Sequence, residues 1–233
     1  MSQLPWLDDN TPFPSPEIAL TEPNGLLAAS YELSPERILQ AYKLGIFPWY
    51  SEDQPVLWWS PDPRCIIYPN QLHLSKSLKK HIRKTQAKIT FDQAFDKVIR
   101  HCARLDSEEG TWITEEMEEA YIQLHEMGHA HSVEVWREGI LIGGLYGLAL
   151  GGCFFGESMF SLETNASKIA FSALCKQLEK WDYQLIDCQV ENPHLLTLGA
   201  STIKRSLFLE QLAQALQAPR PSHEWIFDDE LLQ

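Results

Sequence analysis

Two carboxylates and one amide in apolar surroundings have the residue types for acid–base chemistry. Asp187 and Gln189 are two positions apart in a strand predicted over residues 184–190, where side chains at i and i+2 share one face. Glu157 lies in another predicted strand that is otherwise apolar, where an ionised carboxylate is costly unless it has a partner. Asn192, at the end of the first strand, is a further candidate for substrate binding. Each residue alone is also explained as a buried group that satisfies loop amides, so the case depends on their convergence.

Apolar side chains that would enclose these polar groups have the spacing of one helix packed on neighbouring strands. The helix predicted over residues 165–180 carries large apolar residues at i, i+3 and i+7. They are Phe171, Leu174 and Leu178, and the facing strand residues are Leu145, Met159 and Ile186. A plain hydrophobic core has the same spacing and is the alternative. A pocket for an apolar side chain is such a core with one residue missing, and polar groups between apolar walls are typical of a small-ligand site.

A second motif, His125-Glu-Met-Gly-His129, matches the H-E-x-x-H pattern of zinc proteases. That chemistry needs both imidazoles on one helical face and a third ligand. Gly128 stands between the two histidines and is typical of a helix end, so the two rings would diverge. We therefore predict structural histidines here and no metal site.

Two blocks rich in aromatic residues and proline lie six residues apart, Gly45-Ile-Phe-Pro-Trp-Tyr50 and Leu57-Trp-Trp-Ser-Pro-Asp-Pro-Arg64. They hold three of the chain's eight tryptophans. Proline fixes φ and removes a backbone donor, which predicts neither a regular helix nor a central strand in this stretch. The rings either fill a core or bind a flat ligand, and composition leaves both open.

The chain has a formal charge of −13, yet one segment of it is basic. Residues 72–91 contain six of the nineteen lysines and arginines and no acidic residue. The cluster comprises Lys76, Lys79, Lys80, Arg83, Lys84 and Lys88. A solvated helix face is the simpler interpretation. The alternative is a stripe that binds phosphate groups, since affinity for a polyanion depends on the local field more than on net charge.

The pattern along the chain predicts an α+β fold. Periodicity and caps predict helices at about 35–44, 75–85, 92–104, 115–127, 165–180 and 206–217. Alternation and turn residues predict strands at 65–68, 132–137, 140–150, 153–161 and 184–190, whereas residues 1–30 are predicted to be irregular. Three of the strands form an antiparallel meander, and a helix and a last strand follow in β-β-β-α-β order.

Composition is that of an ordinary globular protein, with 44% hydrophobic and 22% charged residues. No apolar run approaches the roughly 20 residues needed to span a bilayer, and the acidic start of the chain does not resemble a signal peptide. The five cysteines are odd in number and widely spaced, which favours buried thiols in a reducing cytoplasm. A monomer is expected, because no exposed apolar stripe is evident.

Eight blocks, in one order along nearly the whole chain, resemble the leucyl/phenylalanyl-tRNA–protein transferase family. They are Glu22-Pro-Asn-Gly-Leu-Leu27, Gly45-Ile-Phe-Pro-Trp49, Leu57-Trp-Trp-Ser-Pro-Asp-Pro-Arg64, Glu109-Gly-Thr-Trp-Ile-Thr114, Leu124-His-Glu-Met-Gly-His-Ala-His-Ser132, Gly156-Glu-Ser-Met-Phe-Ser161, Asn165-Ala-Ser-Lys168 and Leu185-Ile-Asp-Cys-Gln-Val190. The resemblance implies a small N-terminal domain, placed at residues 1–62, and a domain like the GCN5-related N-acetyltransferases (GNAT) at residues 63–233. The predicted β-β-β-α-β order fits that fold.

The family implies transfer of Leu or Phe, with Met as a third candidate, from aminoacyl-tRNA to the N-terminal α-amine of proteins. The acceptors would begin with Arg or Lys, and the transfer would mark them for degradation by the N-degron pathway. The expected partners are therefore Leu-tRNA, Phe-tRNA and these acceptor proteins, with no membrane, metal or cofactor.

The resemblance also implies roles for individual residues. Asp187 and Gln189 would be catalytic, and Glu157 would bind substrate. The terminal adenosine of the tRNA would be contacted by Trp49 and Trp112, with Tyr42 nearby. The six apolar residues named above would line the pocket for the Leu or Phe side chain. The acceptor stem would be held by Lys76, Lys79, Lys80, Arg83 and Lys84.

An aminoacyl ester is already activated, so the implied reaction needs no ATP. The acceptor amine has a reference pKa near ~7.7–8.0, so part of it is neutral at neutral pH. The enzyme's work is then mostly proximity, plus help with one proton and one developing oxyanion. We expect Asp187 to orient the ammonium and assist its deprotonation, directly or through Gln189. Leu145 and Leu174 stand where the family resemblance leads us to expect Met and Phe, so the pocket walls differ in shape.

Three other functions compete with this interpretation. An acetyl-CoA N-acetyltransferase needs a glycine-rich turn before the long helix, but residues 162–168 have no glycine and one carboxylate. A tRNA-binding module without catalysis would explain the basic segment and the tryptophans, but it leaves Glu157, Asp187 and Gln189 without a role. A zinc protease would contain stoichiometric zinc. Transfer of labelled Leu from Leu-tRNA to a peptide that begins with Arg separates all of these.

Overall fold

A computed structural model describes residues 4–8, 10–105, 113–219 and 224–232 of the chain. The N-terminal part forms a four-stranded sheet in the order β1-β2-β4-β3. Its elements are β1 Trp6–Leu7, a 3₁₀ turn Pro16–Ile18, β2 Leu26–Ser30, helix α1 Pro35–Lys43, β3 Phe47–Pro48 and β4 Val56–Trp59. The pairing of β1 with β2 is parallel, and the other two pairings are antiparallel.

The second aromatic block contains a central strand, so the prediction that excluded one was wrong. Strand β4 pairs with β2 on one side and with β3 on the other. Pro55 and Pro61 flank the strand and therefore remove no donor from its ladder. Pro48 lies within β3, at the edge of the sheet, where a missing N–H is tolerated. The prediction that residues 1–30 are irregular was also wrong where β1 and β2 form.

Helix α1 begins and ends at the predicted signals. The Ser34 hydroxyl accepts the backbone N–H of Arg37 at 3.2 Å, and Pro35 occupies the first helical position. Gly45 follows the helix with a φ of 71°, which only glycine adopts without strain. The helix buries Tyr42, which the sequence had placed near the substrate.

The remaining chain forms a seven-stranded sheet in the order β11-β5-β10-β9-β8-β7-β6. Its elements are β5 Arg64–Ile67, a 3₁₀ turn Pro69–Gln71, α2 Lys76–Lys84, β6 Lys88–Phe91, α3 Phe95–Leu105, α4 Glu115–Glu126, β7 Ala130–Arg137, β8 Ile140–Leu150, β9 Cys153–Ser161, α5 Ala166–Lys180, β10 Leu185–Asp187, α6 Pro193–Leu196, β11 Ser201–Ile203, α7 Arg205–Ala215 and a 3₁₀ turn Asp229–Leu232. The sequence did not predict β6 and β11.

The predicted α+β class and the β-β-β-α-β order are confirmed. Strands β7, β8 and β9 form the antiparallel meander, and α5 crosses over to β10, which pairs with β9 in parallel. The turn between β7 and β8 consists of Glu138 and Gly139, which have φ values of 50° and 78°. Two positive φ values in a two-residue loop are the geometry that matches the twist of a tight hairpin.

The seven-stranded sheet separates two hydrophobic clusters. Tyr146 and Phe155 pack in a cluster shared with α3, α4 and the N-terminal sheet. Their strand neighbours Leu145 and Phe154 pack on the other face with residues of α5. Successive residues of a strand point to opposite faces, so both faces of this sheet are buried. The predicted domain boundary at 62/63 falls between β4 and β5, and the first cluster extends across it.

Strand β10 is shorter than predicted, and this changes the geometry of its polar residues. The strand ends at Asp187, and Gln189 has a φ of 61°, in the left-handed region. A residue in this conformation breaks the strand alternation. The expectation that Asp187 and Gln189 share one strand face was therefore wrong.

Candidate active site

A cavity of about 510 Å³ lies beside β9, between β3, β8, α5 and the segment of residues 188–195. Its apolar walls include Phe47, Leu145, Phe154, Met159, Phe171 and Leu174. Polar groups on the lining are few, and they include Glu157, Gln189 and Asn192. The volume and the ratio of apolar wall to polar groups are typical of a site for a small ligand.

Glu157 reaches the cavity because it lies in a β-bulge. Tyr146 of β8 pairs with Ser158, whereas the next residue, Gly147, pairs with Gly156, so Glu157 is the extra residue of β9. Bulges re-aim a side chain and are frequent beside active sites. A Cβ on Gly147 would come within 2.1 Å of the Phe155 carbonyl oxygen, so only glycine fits opposite the bulge.

The Glu157 carboxylate is held by two neighbouring side chains. The Tyr42 hydroxyl donates to Oε1 at 2.6 Å, and Gln189 Nε2 donates weakly to the same oxygen at 3.4 Å. Tyr42 in turn contacts the Tyr121 hydroxyl at 3.0 Å. The other carboxylate oxygen, Oε2, is buried and has no hydrogen-bond partner among the described residues. One acceptor position of a carboxylate in the site is therefore unused.

Burial changes the proton affinity of this cluster. It raises the pKa of Glu157 from 4.5 to about 7, although the hydrogen bond from the Tyr42 hydroxyl opposes the rise and the Asp187 charge adds to it. Burial and the nearby Glu157 charge raise the pKa of Tyr42 well above its usual value, and Tyr121 behaves in the same way. Both phenols therefore stay protonated, and Glu157 titrates near neutral pH. A carboxylate with this pKa is suited to accept and return a proton under physiological conditions.

Asp187 does not face the cavity. Its side chain is fully buried and accepts two hydrogen bonds from Arg64, from Nε at 2.8 Å and from Nη2 at 2.6 Å. The backbone N–H of Gln189 donates to the same carboxylate at 2.9 Å. Direct contact between Asp187 and an acceptor amine, one of the two routes suggested by the sequence, is therefore wrong for this geometry. The route through Gln189 is compatible with it.

Four of the six predicted wall residues line the cavity, namely Leu145, Met159, Phe171 and Leu174. Leu178 and Ile186 are fully buried in the same hydrophobic cluster but lie behind the wall, so their predicted contact with a ligand is wrong here. Leu178 is seven residues beyond Phe171, about 10 Å further along the helix axis. Phe154, the register partner of Ile186 on β9, lines the cavity in its place.

The predicted adenosine-binding residues lie in different positions. Trp49 lines the cavity and is 47% exposed, and its ring centroid lies 5.6 Å from that of Trp59. Trp59 also donates its indole N–H to the Trp49 carbonyl oxygen at 2.7 Å, which holds the backbone of Trp49 beside the Trp59 ring. Tyr42 is fully buried behind Glu157. Trp112 lies outside the described residues.

His194 lines the cavity and was missed by the sequence analysis. It follows Asn192 at the start of α6, and its backbone N–H donates to the Asn192 side chain at 2.8 Å. Partial burial, together with the charge of Lys168, lowers the pKa of His194. The imidazole is therefore neutral at neutral pH. A lone histidine in a short helix carries no sequence signal that would have placed it here.

Five of the six cations of the basic segment lie on helix α2, which begins with Ser75 as N-cap. Leu78 and Ile82 are buried beneath the helix, and its cationic residues lie on the exposed side. All five cations predicted to bind tRNA border one shallow depression, namely Lys76, Lys79, Lys80, Arg83 and Lys84. The helix thus presents a single positive surface on a protein of charge −13.

The histidines of the H-E-x-x-H motif do not converge. His125 lies on α4, where its ring stacks on Phe95 and its Nδ1 contacts the Ala130 carbonyl oxygen at 2.8 Å. Gly128 ends the helix with a φ of 71°, so His129 follows in a different direction. Within the described part of the chain, no three His, Cys, Asp or Glu residues are grouped to hold a metal ion. The five cysteines are free, buried thiols. No helix among the described residues is long and apolar enough to cross a membrane.

The β-β-β-α-β sheet, the apolar cavity that Glu157 lines and the exposed basic helix fit an acyltransferase. The chain belongs to the leucyl/phenylalanyl-tRNA protein transferase family. Residues 66–213 match the family model described as "Leucyl/phenylalanyl-tRNA protein transferase". Residues 31–62 match the model of the N-terminal domain of the same family.

Relatives of this chain are similar over almost their whole length. The leucyl/phenylalanyl-tRNA–protein transferase of Hahella chejuensis is 57% identical over 97% of this chain and 96% of its own. That of Stutzerimonas stutzeri is 56% identical over 93% and 96%, respectively. Among solved structures, L-PGS from Bacillus licheniformis has a TM-score of 0.41 and 11% identity over 72% of this chain and 54% of its own. A metagenomic aminoglycoside acetyltransferase has a TM-score of 0.38 and 12% identity over 60% and 94%.

Proposed function

We propose that this chain transfers Leu or Phe from aminoacyl-tRNA to the N-terminal α-amine of an acceptor protein. The observation that carries the proposal is the cavity. It combines a ring-sized apolar space with a carboxylate whose pKa is about 7, on a chain of this family. The Leu or Phe side chain would occupy the space between Leu145, Met159, Phe171 and Leu174.

In the proposed reaction, the neutral α-amine attacks the carbonyl carbon of the aminoacyl ester. The new C–N bond forms, the bond from that carbon to the ribose oxygen breaks, and the products are a peptide bond and a free tRNA hydroxyl. Glu157 accepts the proton that the attacking nitrogen sheds and returns it to the leaving ribose oxygen, so that the carboxylate is regenerated. Gln189 orients the amine beside it, and most of the rate enhancement comes from proximity.

The remaining roles follow from position. Trp49 would stack on the terminal adenosine, since a half-exposed indole at the mouth of a cavity offers a flat face to a base. Asn192, also on the lining, would bind the same end of the tRNA. The five cations of α2 would hold phosphates of the acceptor stem, because their field is local while the remainder of the protein repels nucleic acid.

We further propose that the acceptors begin with Arg or Lys and become substrates of the N-degron pathway. A net charge of −13 supports cationic acceptors, because a negative surface potential attracts them during encounter. We assign the chain to the cytoplasm, where its five thiols would stay reduced, and propose that it acts as a monomer. The division into domains at residues 1–62 and 63–233 is part of the same proposal.

A peptide-transfer assay tests the function. The pure protein is incubated with labelled Leu-tRNA and, in parallel reactions, with peptides that begin with Arg, Lys or Ala. We expect label on the Arg and Lys peptides, little on the Ala peptide, and none when the N-terminal amine is acetylated. Failure to label any peptide would contradict the transfer reaction, and equal labelling of the Ala peptide would contradict only the acceptor preference.

Acetyl transfer from acetyl-CoA is less compatible with the turn before α5. That turn contains Glu163 and has no glycine, and Asn165 precedes the helix with a φ of 65°. A helix N-terminus that binds pyrophosphate needs close backbone approach and no carboxylate in the way. Acetylation of a peptide with acetyl-CoA as the donor is therefore not expected.

A further inference from the structure

The buried pair of Arg64 and Asp187, at the start of β5 and the end of β10, contacts two residues that line the cavity, Phe47 and Gln189. Both side chains are fully buried. The arginine is enclosed by rings from two other parts of the chain. Its guanidinium lies 4.8 Å from the ring centroid of Phe47 on β3 and 4.5 Å from that of Phe208 on α7. Two stacking rings and two hydrogen bonds leave the Asp187 carboxylate with one orientation.

That orientation determines the backbone of Gln189. The Asp187 oxygen that accepts from Arg64 Nε also accepts the N–H of Gln189 at 2.9 Å. On the other side, the N–H of Cys65, next to Arg64, donates to the Gln189 carbonyl oxygen at 3.1 Å. Gln189 is thus held at both of its backbone polar groups, in a left-handed conformation that a non-glycine residue adopts only when its surroundings impose it.

We infer that Arg64 is a positioning residue for the transfer reaction, acting through Asp187 to aim the Gln189 side chain at Glu157 and the substrate amine. The inference rests on the proposed function. Arg64 itself touches no group that reacts. Its fork of donors fixes both oxygens of Asp187, and a lysine at this position would fix only one.

Joint replacement of both residues distinguishes an ion pair that only stabilises the fold from one that positions Gln189. A buried pair can often be replaced by apolar residues of similar volume without loss of stability, whereas removing one partner leaves an uncompensated charge. If Arg64 and Asp187 only stabilised the fold, their joint apolar replacement would restore activity along with stability. If they position Gln189, the joint replacement restores stability alone, because the Gln189 N–H loses its acceptor.

The first experiment compares Arg64→Met, the double variant Arg64→Met/Asp187→Leu, and Arg37→Met as a matched control. Arg37 is another buried arginine, which lies over the Phe13 ring at 3.9 Å and is not among the residues that line the cavity. We expect the double variant to melt near the wild-type temperature while kcat falls about 100-fold, the cost of misplacing a group by ~1 Å. Its KM for aminoacyl-tRNA should change less than about threefold. Arg37→Met should lower the melting temperature and keep kcat.

A second experiment does not depend on the folding of the double variant. Arg64→Lys is introduced into the wild type and into Gln189→Ala, and single-turnover transfer is measured in both. Groups that act as one unit are non-additive, so we expect a loss of roughly tenfold in the wild type and less than about twofold without the Gln189 side chain. The same loss in both backgrounds, or a stable double variant with wild-type kcat, would overturn the inference. Absence of transfer by the wild type would instead overturn the proposed function.

Discussion

The cavity around Glu157 and the exposed surface of α2 are two polar regions of this protein that are built in opposite ways. In the cavity, the Glu157 carboxylate is held by specific hydrogen bonds, such as that from Tyr42 at 2.6 Å. On α2, cations with no acidic neighbour in residues 72–91 face solvent. The first arrangement suits chemistry, in which one misplaced group matters. The second suits binding of a polyanion, in which each charge contributes a similar small amount.

The two carboxylates near β10, those of Asp187 and Glu157, differ in burial and in hydrogen bonding. Asp187 is fully buried and paired with Arg64, whereas Glu157 lines the cavity and has one oxygen without a partner in the described structure. The family resemblance led us to expect that Asp187 orients the amine and assists its deprotonation, directly or through Gln189. We propose instead that Glu157 takes the proton and that Asp187 holds Gln189. Under this proposal, the more deeply buried acid supports the site and the less buried acid takes part in the reaction.

The largest effect is expected from Glu157→Gln. The amide keeps the shape and the Tyr42 contact but cannot accept a proton, so we expect kcat to fall about 100- to 1000-fold, within the range for loss of a general base. The KM for aminoacyl-tRNA should stay within about threefold, because α2 is untouched. Glu163→Gln, which alters an acid just beyond β9, is the control. A kcat of Glu157→Gln within tenfold of the wild-type value would contradict the assignment of the chemistry to the cavity and of tRNA binding to α2.

The same substitution should stabilise the fold at high pH. Because burial raises the folded pKa of Glu157 from 4.5 to about 7, its contribution to stability is present below pH 4.5 and is lost as pH rises through 7. Glu157→Gln should therefore raise the free energy of unfolding by about 2–3 kcal/mol at pH 8 and by less than about 1 kcal/mol at pH 5. Urea unfolding at the two pH values measures this, and an equal gain at both would contradict the raised pKa.

On α2, the double variant Lys79→Ala/Lys80→Ala should weaken binding without slowing the chemistry. We expect KM for aminoacyl-tRNA to rise about tenfold and the salt dependence of log KM to lose a slope of about 2, one per phosphate contact. The single-turnover rate constant at saturating tRNA should stay within about twofold of the wild-type value. Removal of Lys97 and Lys176, which lie on other helices, is the matched control. An equal rise in KM for that control would show that only the total charge matters.

The smallest effect concerns the choice of amino acid. Leu174→Phe should fill part of the cavity and shift the ratio of kcat/KM values from Phe-tRNA toward Leu-tRNA by about tenfold, within the 1–3 kcal/mol that hydrophobic pockets provide. Leu178→Met, a change behind the wall, should leave the ratio as it is. Competition between the two labelled tRNAs gives the ratio directly. A change in this ratio caused by Leu178→Met would show that Leu178 contacts the substrate side chain after all.

Elements with strong local signals were predictable from the sequence. The serine and proline that start α1, the glycine that ends it and the alternation of β7 to β9 agree with the structure because each depends on a few neighbouring residues. Short strands such as β6 were missed. Its residue Thr90 is held by the buried carboxylate of Glu134, 44 residues away. Pairing at such distance leaves no local signal.

The site was predictable in composition but not in orientation. Glu157, Gln189 and most wall residues line one cavity, as their types and order suggested, and Trp49, which the family resemblance placed at the tRNA end, lines it as well. The bulge at Glu157 and the left-handed Gln189 were not predictable, because both are imposed by neighbouring strands. The alternation of side chains along a regular strand placed Asp187 on the same face as Gln189. The strand ends at Asp187 instead, and the Asp187 side chain is buried against Arg64.

The pH dependence of single-turnover transfer tests the central claim, that Glu157 takes the proton from the attacking amine. It is measured from pH 5.5 to about 9 at limiting acceptor peptide. In the wild type, the logarithm of the rate should rise with a slope of 2 below pH 7, because both the Glu157 carboxylate, with a pKa of about 7, and the acceptor amine must be deprotonated. In Glu157→Gln the slope should be 1, governed by the amine alone. A slope of 1 in the wild type, or the same profile in both proteins, would contradict the account.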